Sequence, residues 1–219
     1  MKTALIIGST GLVGSHLLNI LLESKEYDKV ITFGKRVSGN QHPKLIEHLI
    51  DFDKPESYDD LVKGDDFFCT IGTTIKKAGS KEAFRKVDFE YPKQFALIAL
   101  KNGVKQFLLI SSLGADANSG NFYLRTKGEI ESFLENCNFE SVSIVQPSLL
   151  LGNRNEFRFG EKAGAFMMKV FSFLFIGNLK KYKPIQGITV AKALFELAQK
   201  KTIGFGIYKS DTIQRIGSR

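Results

Sequence analysis

Near the start of the chain, residues 4–18 read ALIIGSTGLVGSHLL. No other stretch limits the fold as strongly. An apolar run of β type stops at Gly8, glycines recur at Gly11 and Gly14, and a helical pattern follows at once. A short, continuously apolar strand is one buried on both faces, as in a parallel sheet. Each glycine has a separate physical task in such a turn. Gly8 permits the tight reversal, Gly11 lets a bound phosphate group approach the backbone, and Gly14 lets helix and strand pack closely. The unpaired N–H groups at the helix start, with the helix dipole, attract negative charge. Glycine triplets also occur in ordinary turns, but the strand before this one and the helix after it make a dinucleotide site the reading.

Beyond the loop, apolar runs and helical patterns alternate. Strands are expected over 4–7, 30–33, 45–50, 67–71, 107–110 and 143–145, with a last one over 205–208. Helices are expected over 12–23, 57–62, 81–101, 123–135 and 190–200. This order predicts an α/β chain, a doubly wound parallel-sheet Rossmann fold with right-handed crossovers. At 219 residues, 43% apolar and 25% charged, the chain can bury a core and is not of the disordered type. It is expected to form one domain over 1–219, in which 152–219 is a small extension contributing the substrate side. Phe is abundant, 19 against 6 Tyr and no Trp, which suggests aromatic packing or an apolar pocket.

Composition also removes function classes. The net charge is +8, but the cations are scattered in pairs such as Lys76-Lys77 and Lys180-Lys181, so no nucleic-acid partner is expected. His16, His42 and His48 have no ligand spacing with Cys, Asp or Glu, so no metal is expected. Cys69 and Cys137 form no CxxC pair, and Met1 leads straight into the first strand without a secretory signal. These points predict a cytoplasmic location. The apolar stretch 163–177, interrupted by Lys169, is shorter than the roughly 20 residues a membrane span needs. Within it Phe166, Met167, Val170 and Phe171 recur at helical spacing, as in a cover over a nicotinamide-side pocket.

The end of the second strand bears on cofactor choice. An NAD site usually offers an acid there to the ribose 2′-hydroxyl. Here VITF runs into Gly34-Lys35-Arg36, and residues 29–44 contain no acid. Two cations suit a 2′-phosphate, so NADP(H) is the expected cofactor. After the third strand, Asp51-Phe52 occupy a position that could flank the adenine.

A second pattern, FYLRTKGEIESFL, sets Tyr123 and Lys127 four apart on a helix, hence on one face. The strand before it, QFLLISS, ends in Ser111 and Ser112, with Ser112 eleven residues upstream of Tyr123. A phenol, with its reference pKa of about 10, needs help to exchange a proton near neutrality. An ammonium one turn away supplies it by favouring the phenolate. A serine hydroxyl at the strand tip could hold the substrate oxygen.

Together these motifs resemble the short-chain dehydrogenase/reductase superfamily, and the GxxGxxG spacing resembles its atypical branch. Within that branch the segments FCTIGTTIKKAGS, FRKVDFEY, LLISSLGAD and YLRTKGEIE are similar to the Tat-interacting-protein group of NADPH-binding oxidoreductases. The resemblance implies cofactor contacts at Gly8, Thr10, Gly11, Val13 and Gly14, at Lys35 and Arg36, and at Ile71 and Gly72. It extends them to Leu150 and Arg158 in QPSLLLGNRNEFR, and it casts Tyr123 and Lys127 as the active pair, both also touching the cofactor. Alignment on the strand end favours Ser112 over Ser111 as the third catalytic group, without excluding Ser111. One departure is Asp88, in KVDFEY, where many superfamily members carry an Asn supporting a proton-relay water.

The reading is an NADPH-dependent oxidoreductase acting on a small carbonyl or alcohol substrate, as a monomer or homodimer. A nucleotide-sugar epimerase uses the same pair, but the short region after 152 argues against it. An NADP(H)-sensing regulator with a protein partner and little turnover is the alternative from another class.

Overall fold

A computed structural model of the chain describes residues 2–152, 182–200 and 202–218. Seven strands form one parallel sheet: β1 (Lys2–Ile7), β2 (Tyr27–Gly34), β3 (Leu45–Leu49), β4 (Asp66–Cys69), β5 (Gln106–Ile110), β6 (Ser141–Gln146) and β9 (Gly204–Lys209). Their order is β3-β2-β1-β4-β5-β6-β9. The chain therefore winds outward on one side of β1, then returns to start β4 on the other. A reversal of this kind opens a crevice at the carboxyl ends of the two strands it separates. Here those ends carry Gly8 and the Thr70–Gly72 segment.

Alternation along each strand explains the two covering layers. Ala4 and Ile6 point into one apolar cluster, Leu5 and Ile7 into the other, and all four are fully buried. The first cluster is closed by α1 (Leu12–Glu23), whose Leu17, Leu18, Leu21 and Leu22 face the sheet, and by α6 (Gly187–Lys200) and α7 (Ser210–Gly217). The second is closed by α4 (Tyr91–Lys101) and α5 (Phe122–Glu135). Most of the buried phenylalanines serve this second layer, Phe68 the first. The Phe95 ring meets those of Phe33, Phe52, Tyr58 and Phe67, and Phe67 stacks on Phe107 with centroids 4.9 Å apart.

Several elements differ from the pattern reading, each for a local reason. The fourth strand stops at Cys69 rather than 71, because the Thr70 N–H and hydroxyl both donate to the Ile7 carbonyl, at 3.0 and 2.7 Å. The helix expected over 57–62 is two single 3₁₀ turns, Pro55–Ser57 and Asp59–Leu61, held by the fully buried Tyr58 between them. The long helix expected over 81–101 is broken into α3 (Lys81–Arg85), a π turn (Lys86–Glu90) and α4. Two short elements, α2 (Ile75–Ala78) and the pair β7 (Leu150–Leu151) with β8 (Ile185–Gln186), are too brief to carry a period. After residue 152, the described elements α6 and β9 are built into the sheet and its helical layer. Arg158 and the apolar stretch 163–176 lie outside the described residues.

Candidate active site

The glycine loop forms a cradle that no larger residue could build. Gly8 has φ +84°, and a Cβ there would fall 2.6 Å from the Ile71 nitrogen. At Gly14 a Cβ would fall 2.0 Å from the Gly8 oxygen and 2.6 Å from Thr70 Oγ1. The loop, the start of α1 and the end of β4 are thus in mutual contact. Gly11 caps α1 without any side-chain hydrogen bond, and no acid lies in the first turn. The first N–H groups of a helix have no intrahelical acceptor, so this end is set up for an anion. Val13 is 4% exposed with its side chain in the core, so only its backbone can face a ligand. These features fit a dinucleotide pyrophosphate.

Beside the loop lies a cleft of about 420 Å³, with Ser9, Thr10, Ser15 and Asn19 on one wall and Arg36, Val37, Ser38 and Asn40 on the other. Its lining includes a cation, hydroxyls and amides, and no carboxylate. Arg36 Nε donates to Thr10 Oγ1 at 3.3 Å, tying the second strand's end to the loop. Lys35 is exposed and does not line the cleft. Its charge instead adds to the hydrogen bonds from Lys86 and Tyr91 that hold the Asp53 carboxyl below its ordinary range. Phe52 is 3% exposed and packs on Tyr91 and Phe95, so its ring does not flank an adenine.

The Tyr–Lys face of α5 meets the ends of β4 and β5. Asn121 caps the helix, its side chain accepting from the Leu124 N–H at 3.2 Å. Tyr123 is half-buried and its ring lies 5.4 Å from that of the buried Phe84 on α3. Lys127 Nζ lies 2.7 Å from Asp88 Oδ1, with side-chain exposures of 6% and 1%. The other Asp88 oxygen accepts the Thr73 N–H at 2.9 Å. A Cβ at Gly72 would lie 3.4 Å from Asp88 Oδ1 and 3.8 Å from Lys127 Nζ, so the glycine sits directly against the pair. Burial pulls the ammonium down, but the charge of Asp88, the proximity of Tyr123 and the Asp88 hydrogen bond outweigh it and hold Lys127 above its ordinary value. The neighbouring Cys69 thiol is pushed up to about 12 by burial, which removes it as a nucleophile.

The two serines separate cleanly. Ser111 is buried and its hydroxyl donates to Glu131 Oε1. The Gln146 amide donates to both Glu131 oxygens, at 3.0 and 2.9 Å. Burial raises the Glu131 carboxyl above its ordinary range, against the hydrogen bonds that favour its charge. Ser112 is half-buried, and its hydroxyl takes part in no hydrogen bond among the described residues.

Asp88 was noted in the sequence only as a departure, and Glu131 not at all. The sequence did hold a signal for each. Asp88 is an acid within an apolar helical face. Glu131 continues the four-residue spacing of Tyr123 and Lys127. Of the other expected contacts, Ile71 follows Gly8's neighbour Thr70 and packs partly into the second cluster. Leu150 lies on β7, half-buried against the first cluster.

The model of the NAD dependent epimerase/dehydratase family matches residues 4–140, well over half of the chain. The chain belongs to this family. Its relatives include Protein HTATIP2 of Rattus norvegicus, 36% identical over 164 residues, 73% of this chain and 67% of that protein. The mitochondrial protein FMP52 of Debaryomyces hansenii is 35% identical over 207 residues, 90% of this chain and 88% of that one. Among solved structures, a short-chain dehydrogenase/reductase superfamily protein from Agrobacterium tumefaciens with bound NAD superposes with a TM-score of 0.71 at 14% identity, covering 94% of this chain and 77% of that one. The family match thus agrees with the Rossmann core, the resemblance and a nicotinamide cofactor. It does not bear out the cytoplasmic expectation. FMP52 proteins from several yeasts are named mitochondrial, and that finding overturns it. No described helix is long and apolar enough to cross a membrane. No cluster of His, Cys, Asp or Glu among the described residues could hold a metal ion.

Proposed function

We propose that the protein is an NADPH-dependent oxidoreductase that interconverts a carbonyl and an alcohol carbon, with Ser112, Tyr123 and Lys127 as its catalytic residues. When bound, the dinucleotide supplies or accepts the hydride. The observation that carries the reading is the buried Lys127 ammonium, paired with Asp88 one helical turn from Tyr123. A buried charged lysine is costly to keep and is found where a charge has work to do. It has three donors, and its ion pair with Asp88 leaves at least two of them for the hydroxyls of a ribose. Its charge stabilises negative charge developing on the Tyr123 oxygen as that group gives a proton to the substrate oxygen or takes one from it. The free Ser112 hydroxyl orients the same oxygen, while Ser111, held by Glu131, supports the strand tip. The cleft beside Arg36, with no carboxylate, favours NADPH over NADH.

A panel of small carbonyl compounds tested for NADPH oxidation examines this directly. Tyr123→Phe should lower turnover by the 10²–10⁴-fold typical of general acid–base catalysis, while NADPH affinity changes little. A variant that reduces substrate at the wild-type rate would remove Tyr123 from the mechanism. One observation favours a second reading, an NADP(H) sensor with a protein partner: Asp88 cancels much of the Lys127 charge. In that case no carbonyl compound is reduced, and NADPH-dependent partner binding survives Tyr123→Phe.

A further inference from the structure

The NADPH reading rests on a cleft whose outer wall is a loop, and a loop holds its shape only if something anchors it. Arg36, Ser38 and Asn40 lie in the connection between β2 and β3, which crosses the surface with little packing of its own. The anchor is an acid from the next strand. Glu47 on β3 stands beside Thr32 of β2 and turns its carboxylate back toward the loop. The Ser38 N–H donates to both carboxylate oxygens, at 2.8 and 3.1 Å, and the Ser38 hydroxyl donates to Oε1. The same hydroxyl accepts the Asn40 N–H at 3.2 Å. A continuous chain of hydrogen bonds thus runs from Glu47 through Ser38 to Asn40, and two of its three members line the cleft.

We infer that Glu47 is a positioning residue for cofactor specificity. It sets the 36–40 wall so that the cleft accepts a ribose 2′-phosphate. This inference rests on the proposed NADPH preference. A carboxylate so near a phosphate site would ordinarily repel the ligand. Here its oxygens are taken by donors, and Glu47 is not part of the cleft lining. The residue type matters for the same reason. Ser38 presents two donors, an N–H and an O–H, and a carboxylate answers both with acceptors. A glutamine keeps one acceptor oxygen, loses the charge, and puts an N–H₂ group where Oε2 accepts the shorter Ser38 N–H bond. Glu47→Gln therefore keeps the size of the side chain and weakens the anchor. NADH, which places no phosphate against this wall, is indifferent to the change.

The test is calorimetric titration of the wild type, Glu47→Gln and Arg36→Ala with NADPH and with NADH, alongside thermal melts of the free proteins. The expected result is a wild-type preference for NADPH. In Glu47→Gln the NADPH affinity should fall about tenfold, the scale of one lost charge-assisted hydrogen bond. Its NADH affinity should stay within about twofold of wild type. Arg36→Ala should move in the same direction. Should Glu47→Gln fail to fold, Ser38→Ala breaks the chain at its middle and should reduce NADPH affinity selectively. A wild-type preference that survives intact in Glu47→Gln, or in Ser38→Ala where that variant is used, overturns the inference and leaves the NADPH reading standing. Equal weakening of both cofactors overturns it too, since that is what a merely structural residue would do. Equal affinities of the wild type for NADPH and NADH would overturn both readings together.

Discussion

Replacing Asp88 by asparagine removes one charge and almost no volume, yet the structure makes it a severe change. The two carboxylate oxygens face two donors, the Lys127 ammonium at 2.7 Å and the Thr73 N–H at 2.9 Å. An asparagine can answer only one of them and aims N–H at the other. Lys127 is 6% exposed, so water cannot take the place of the lost counter-charge. Breaking a buried pair by removing one partner costs about 3–5 kcal/mol. For a chain of this length that is a fall in Tm on the order of 10 °C. The dependence on pH carries the sharper signature. In the wild type, burial lowers Lys127, but Asp88 and Tyr123 outweigh it and hold the group above its ordinary value. Its contribution is then fully present below the unfolded pKa of about 10.4 and is lost only as pH rises through the folded value. In Asp88→Asn burial acts almost alone, and the folded value drops below the unfolded one. Between the two values the unfolded chain binds more protons, so stability of the variant rises with pH by up to about 1.4 kcal/mol per unit. Urea unfolding of both proteins at several points between about pH 6.5 and pH 9.5 measures this against the linkage relation. The gap between them should be widest at the acid end and narrow toward the alkaline end. A variant within about 1 kcal/mol of wild type throughout, far below the cost of a broken buried pair, would refute the reasoning. So would a gap that does not change with pH.

Gly14→Ala forces its Cβ to within 2.0 Å of a backbone oxygen, which cannot rotate away, so the glycine loop must shift. Overpacking of this kind costs about 1–3 kcal/mol, and dinucleotide affinity by fluorescence titration should fall at least about tenfold. Glu131 is raised by burial, so its ionisation weakens the fold as pH rises from about 4.3 through the folded value. Glu131→Gln lacks that loss; its stability relative to wild type should improve from about pH 4.5 to pH 7, and a constant difference would count against the buried charge. Both cysteines are free, Cys69 fully buried with its thiol at about 12 and Cys137 partly exposed. A thiol reagent should therefore titrate no more than Cys137 in the native protein and both thiols in urea, and rapid native modification of Cys69 would contradict its placement.

The strand and helix order, the glycine loop and the Tyr123–Lys127 face were legible because each is a pattern of near neighbours. Two-residue alternation, four-residue helical spacing and three glycines at one turn depend on local backbone geometry, and the β1, α1, β5 and α5 regions follow from them with small shifts at their ends. The break at the π turn was not legible, since 81–101 is an acceptable helix when taken alone. Nor were the roles of single polar residues. Alignment on the strand end favoured Ser112 without excluding Ser111; the two differ in the fold because Glu131, twenty residues from Ser111, accepts from that hydroxyl and leaves the Ser112 hydroxyl free. Phe52 could have stood beside an adenine until Tyr91 and Phe95 enclosed it. Lys35 and Arg36 were indistinguishable as cations until the strand end turned only Arg36 toward Thr10, and the acid that anchors their loop lies on another strand. The sequence by itself determined the doubly wound core, the cradle for a dinucleotide and the helix face that carries Tyr123 and Lys127. Only the tertiary structure decided which hydroxyl is free, which carboxylate is paired and which cation faces the cleft. Those outcomes depend on partners brought together by the sheet order, and no local spacing encodes them.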